Sequence, residues 1–195
     1  MEAVKSLYRK SSINLFLIAG LVFLLINVNI KELYLLLPAK YSGGMSVVLL
    51  ISLAKLYHMF LGANGAIISN SKYYKVLLPY GLAMAVTVFL LNDYLIDLLS
   101  IEGAALSTFL VVLVFNTIKL VFVKHKFGFF PFGKKTAILF VLLVLFFFGF
   151  KFWDFDFHPL WDIFLKSALL TVCYFGIVYK LKISEDVNAL MARVF

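Results

Sequence analysis

Six uninterrupted apolar runs, each 18 residues or longer, constrain this 195-residue chain more than any other feature. They cover 13–30, 45–68, 74–91, 103–123, 136–153 and 159–179. At 1.5 Å per residue, such a run crosses the roughly 30 Å hydrocarbon core of a bilayer. Inside that core every backbone N–H and C=O must be paired within the protein, which leaves helices or a closed barrel. Barrel strands alternate in polarity over about ten residues, whereas these runs are continuous. The expected fold is all-α, a polytopic membrane helix bundle with about six transmembrane helices. Composition agrees: 64% of residues are hydrophobic, 14% are charged and 22 are Phe. A soluble core of this size does not bury so much apolar surface. No clear small-residue cleavage site follows the first run, which therefore reads as a retained span rather than a signal peptide.

The basic residues predict an orientation. One side carries twelve: Lys5, Arg9, Lys10, Lys72, Lys75, Lys124, Lys126, Lys134, Lys135, Lys180, Lys182 and Arg193. The other carries three, Lys31, Lys40 and Lys151. Twelve against three is a positive-inside bias that places both termini in the cytoplasm. The acids Glu32, Asp93, Asp97, Glu102, Asp154, Asp156 and Asp162 are assigned to outer loops, and Trp153 and Trp161 to the headgroup level beside the last of them. The net charge of +8 is accounted for by these flanks, so no nucleic-acid partner is expected. The single cysteine, Cys173, permits no internal disulfide.

The longest inner loop, 124–135, contains Gly128, Pro131 and Gly133. It divides a four-helix part, 1–130, from a terminal transmembrane hairpin, 131–195.

Polar residues inside the runs mark the candidate site. In the second run Ser52, Lys55, His58 or Met59, Gly62, Gly65 and Ser69 share one helical face. Lys55 lies near mid-membrane, where a charge costs about 2.5–3.5 kcal/mol on insertion scales. It therefore faces protein or a water-filled cavity, beside either a packing partner or an anionic ligand. His58, one turn on, reads as part of a cationic lining or as a helix contact; no metal site is expected. Gly62, Gly65 and Ser69 are read as permitting close helix approach. In the fourth run Thr108, Asn116 and Lys119 lie near one face, with Lys119 close enough to the inner end to snorkel. Lys166 is expected to snorkel outward or to pair with Asp162, four residues earlier. Asn27 and Asn29 read as helix-contact or interface residues.

There is no phosphate-binding Gly-rich loop, no acidic pair within a span, no Ser-His-Asp set and no His-Glu-x-x-His. Covalent catalysis and a cofactor are not expected. Transport, or support of a membrane assembly, remains.

Several pieces then point to a family. Tyr8-Arg9-Lys10-Ser11-Ser12-Ile13-Asn14-Leu15 leads into the first run, and Leu36-Leu37-Pro38-Ala39-Lys40-Tyr41 closes it. The second run reads Leu53-Ala54-Lys55-Leu56-Tyr57, then Gly62-Ala63-Asn64-Gly65-Ala66-Ile67-Ile68-Ser69-Asn70-Ser71-Lys72-Tyr73-Tyr74. Glu102-Gly103-Ala104-Ala105-Leu106-Ser107-Thr108 opens the fourth. In order and spacing these resemble the C-terminal half of bacterial oligosaccharide flippases of the polysaccharide-biosynthesis (O-antigen) type, in the multidrug/oligosaccharidyl-lipid/polysaccharide exporter superfamily. The likeness covers residues 5–132; the last hairpin matches by hydropathy alone.

The resemblance implies a transporter that flips undecaprenyl-pyrophosphate-linked oligosaccharide across the bacterial inner membrane for polysaccharide or lipopolysaccharide biosynthesis. The family has two bundles of helices, and this chain would match the second. Either the sequence is a fragment or a partner supplies the missing N-terminal bundle. Lys55, His58, Asn64, Asn116 and Lys119 would line the path of the anionic headgroup, and His58 stands where many relatives carry an acid. Two other readings stay open. One is a small membrane scaffold or accessory subunit of a cell-envelope assembly. The other is a membrane transferase using Asp154, Asp156 and His158 as outer-loop bases.

Overall fold

The computed structural model describes residues 2–153, 155 and 158–194, and among these every regular element is helical. The chain is an all-α membrane helix bundle. Its helices are α1 (Glu2–Val28), α2 (Ile30–Leu35), α3 (Met45–Phe60), α4 (Asn64–Ser69), α5 (Leu77–Phe127), α6 (Lys134–Lys151), α7 (Pro159–Lys180) and α8 (Glu185–Val194). Helices α1, α5 and α7 are each long and apolar enough to cross a membrane.

A straight helix of 51 residues would be about 76 Å long, more than twice the hydrocarbon thickness. Instead α5 breaks at Ser100, whose φ of 53° and ψ of −132° are not helical. Contacts between its halves are antiparallel about that residue. Ser107 Oγ donates to Asn92 Oδ1, and the Tyr80 hydroxyl donates to the Phe115 carbonyl. Gly103 permits the turn, because a Cβ there would strike the Leu95 carbonyl. The third and fourth apolar runs are therefore two arms of a helical hairpin. The first arm stays helical to residue 99, so Asp93 and Asp97 lie on a helix rather than in a loop.

The chain forms two compact units. One comprises residues 1–12 and 46–131, the other 13–45 and 132–195. Residues 13–45 cluster with the terminal helices. In the first unit, Tyr8, Ile68, Val123 and Phe129 form a buried cluster, with Tyr8 and Phe129 edge to face at 6.0 Å. There the second apolar run is not one helix. Gly62 adopts φ +64°, and Ser12 Oγ donates to the freed Phe60 carbonyl at 2.7 Å. A Cβ on Gly62 would lie 2.9 Å from Ser12 Cα, whereas Gly65 meets nothing within 4 Å. Of these two glycines Gly62 alone serves close approach, and the stripe expected to run on to Ser69 ends at this break.

In the second unit α7 buries Asp162, Lys166, Leu170, Tyr174 and Val178 at four-residue spacing, a single face. The Tyr174 hydroxyl donates to the Leu17 carbonyl at 2.9 Å, and its ring meets Phe146 of α6 edge to face. Gly20 of α1 sits against Leu143 of α6 with no room for a Cβ. The sequence reading ended at 179 and did not anticipate α8. Ser184 Oγ accepts from the Val187 N–H at 3.2 Å, with Glu185 and Asp186 in the first turn. Asn14 of α1 ties that start down, donating to Asp186 Oδ2 and accepting from Ser184 Oγ, both at 2.6 Å.

Candidate functional site

Within the first unit α3 and both arms of the α5 hairpin line an open hollow of about 200 Å3, at which Lys55 and His58 are exposed. Lys55 and His58 enter it from α3, one turn apart. Thr108, Asn116 and Lys119 enter from the second arm, and Met84 from the first. Four of the five expected lining residues thus converge on one space. Asn64 does not: it lies on α4, 3% exposed, with its amide nitrogen unpaired among the described residues.

The hydrogen bonds orient the polar groups. Asn116 Nδ2 donates to the Val112 carbonyl at 2.8 Å, which turns Oδ1 toward His58. His58 Nδ1 stands 3.2 Å from that oxygen and must therefore carry the proton. Lys119 Nζ sits 4.9 Å over the Tyr80 ring, a cation–π contact at the wall of the hollow. Beside the hollow, the Tyr57 hydroxyl and Thr117 Oγ1 are 2.6 Å apart and join α3 to the second arm. Among the described residues the Lys55 ammonium has no ion pair or hydrogen bond, and no acid lines the hollow.

No protein-family model, curated protein or solved structure matches this chain.

The hollow is chemically one-sided. Two lysines and a histidine face it, with a hydroxyl and an amide as further polar groups. The two ammonium groups attract an anion, and the imidazole, hydroxyl and amide can hydrogen-bond to one. Sequence reasoning missed Tyr80 and Met84, since only the hairpin fold brings the first arm to this place. The aromatic beneath Lys119 had no local signal.

Elsewhere two expectations are corrected. Lys166 donates to Glu32 Oε1 at 2.6 Å, buried at 1%, so it does not snorkel outward. Glu32 and Asp162 are each 5% exposed on α2 and α7, not outer-loop acids. Residues 134 positions apart pair only through tertiary packing of α2 on α7. Of the alternative transferase set, Asp154 and Asp156 lie outside the described residues. His158 caps α7, its Nδ1 accepting from the Leu160 N–H at 3.4 Å.

Proposed function

We propose that this chain is the C-terminal half of a flippase for lipid-linked oligosaccharide, with the hollow between α3 and the α5 hairpin receiving the pyrophosphate. The single observation that carries the reading is the convergence of Lys55, His58 and Lys119 on one space with no acid lining it among the described residues. A membrane helix retains such cations only against a compensating function or partner. The resemblance over residues 5–132 supplies the substrate class: a prenyl pyrophosphate bearing sugars. On this reading the protein does no covalent chemistry. It works in the bacterial inner membrane with both termini cytoplasmic, beside an N-terminal bundle encoded upstream or by a partner.

Binding of a fluorescent prenyl-pyrophosphate to the protein in lipid nanodiscs tests this. Lys55→Ala and Lys119→Ala should each weaken binding about tenfold, equivalent to roughly 1.4 kcal/mol, and Lys55→Arg should retain most of it. Unchanged binding in the Lys55→Ala, Lys119→Ala double variant removes the proposal. So does unchanged surface polysaccharide in cells whose full transporter carries both changes.

A further inference from the structure

Where α6 begins and α7 ends, the second unit carries an open cleft of about 730 Å3 that the pyrophosphate reading leaves unused. Lys135 lines it from the first turn of α6, and Tyr179 and Lys180 from the last turn of α7. Lys182 lines it from the turn that follows, and Glu185 and Asn188 from α8. Three ammonium groups thus share the cleft with one carboxylate among the described lining residues. The neighbouring acid, Asp186, accepts from Asn14 Nδ2 of α1 at 2.6 Å.

The backbone strengthens the cationic character of this place. Helix α6 has no acid in its first turn and begins Lys134-Lys135 instead. Basic side chains there add to the positive end of the helix dipole rather than offsetting it. Helix α7 closes in a Schellman turn, in which the Ile183 N–H donates to the Val178 carbonyl at 3.2 Å and the Lys182 N–H to the Tyr179 carbonyl at 3.1 Å. Val178 and Ile183 are buried beneath it. The left-handed position of such a turn ordinarily belongs to glycine, yet here Lys182 occupies it with φ 49°. Lysine is the costlier residue for the fold at this position, and what it brings is an ammonium at the cleft. Asn188 Nδ2 donates to the Tyr179 carbonyl at 3.3 Å and holds α8 against the end of α7, so the walls are set before anything binds.

The position selects the kind of anion. Helix α7 is long and apolar enough to cross a membrane, which puts its last turn at the membrane–water boundary. About one turn deeper, Ile138 of α6 and Ile177 of α7 are exposed. An occupant meets ammonium groups at its head and apolar side chains below. A free phosphate uses only the first of these, whereas a phospholipid uses both.

We propose that Lys135, Lys180 and Lys182 bind the phosphate of an anionic membrane phospholipid seated between α6, α7 and α8. The inference rests on the second unit alone and is independent of what enters the hollow in the first.

Native mass spectrometry of the full chain released from detergent reads the lipid it retains. A Lys55→Ala, Lys119→Ala background removes the lysines of the hollow, so the result does not depend on the pyrophosphate reading. The protein is offered phosphatidylglycerol and phosphatidylcholine with identical chains in equal amounts. One phosphatidylglycerol should be retained about tenfold over phosphatidylcholine, undisturbed by millimolar inorganic phosphate. Lys135→Gln and Lys182→Gly should each reduce that preference about fivefold. Lys182→Gly should leave Tm unchanged or higher, because glycine relieves the left-handed backbone, so its loss of lipid is not a loss of fold. Equal retention of the two lipids, or a preference unchanged in the Lys135→Gln, Lys182→Gly double variant, overturns the site. Displacement of the lipid by inorganic phosphate overturns its assignment to a phospholipid.

Discussion

Lys166 and Glu32 meet at 2.6 Å in a setting that excludes water from both, 1% and 7% of their side chains being exposed. A buried pair of this kind is costly to break and adds little net stability over an apolar replacement. Lys166→Met alone should therefore destabilise the protein by about 3–5 kcal/mol, by leaving Glu32 uncompensated, and Glu32→Gln by less, because Asp162 stands one turn from Lys166 on the same buried face. The double variant should recover much of that loss. Urea or thermal unfolding in detergent, arranged as a double-mutant cycle, measures it. Additive losses would mean that the two groups do not depend on each other.

At the break between α3 and α4, Gly62 combines a left-handed backbone with a 2.9 Å approach to Ser12. Gly62→Ala pays both for the φ and for moving the Ser12 backbone, and should cost about 1–3 kcal/mol. Gly65→Ala, in open space on α4, should be neutral or slightly stabilising. Melting temperatures of the two variants compare the sites directly; equal effects would mean that the approach to Ser12 is not maintained.

The α5 hairpin makes a topological prediction. In a Cys173→Ser background, single cysteines at Lys75 and Lys126 should label from the same side of the membrane, and one at Asp97 from the opposite side. An uninterrupted α5 would separate positions 75 and 126 instead. Ser100→Gly should stabilise the turn by about 1 kcal/mol, since glycine tolerates the φ of 53° that serine does not favour.

Much of the architecture was legible because the bilayer imposes so simple a rule. Long apolar runs must be helical, and α1, α6, α7 and both arms of α5 lie where the runs lie. What was not legible depended on partners remote in sequence. Gly62 could be read as a contact residue, but its helix-breaking role requires Ser12 to receive the Phe60 carbonyl. Glu32 sits beside Lys31 just after the first run, and nothing nearby marks it as buried; its partner lies on α7. Asp162 and Lys166 were visible as a four-residue pair, and that local signal obscured the longer connection. In the hollow, the polar side chains of α3 and of the second arm stood out against apolar neighbours. Tyr80, aromatic among aromatics, did not.

Asn116 separates two explanations of the hollow's affinity for anions. Its amide bonds His58 at 3.2 Å, so any change disturbs that orientation, but only an acid changes the charge. If attraction is chiefly electrostatic, Asn116→Asp should draw His58 and Lys55 toward a fixed carboxylate. The prenyl-pyrophosphate probe should then bind about tenfold or more weakly, and raised salt should narrow the difference from the unmodified protein. Asn116→Leu removes the hydrogen bond without adding charge and should weaken binding only about two- to fourfold, from a bond worth roughly 0.5–1 kcal/mol. Equal losses from both variants would mean that His58 orientation, rather than the summed positive charge, governs what the hollow holds.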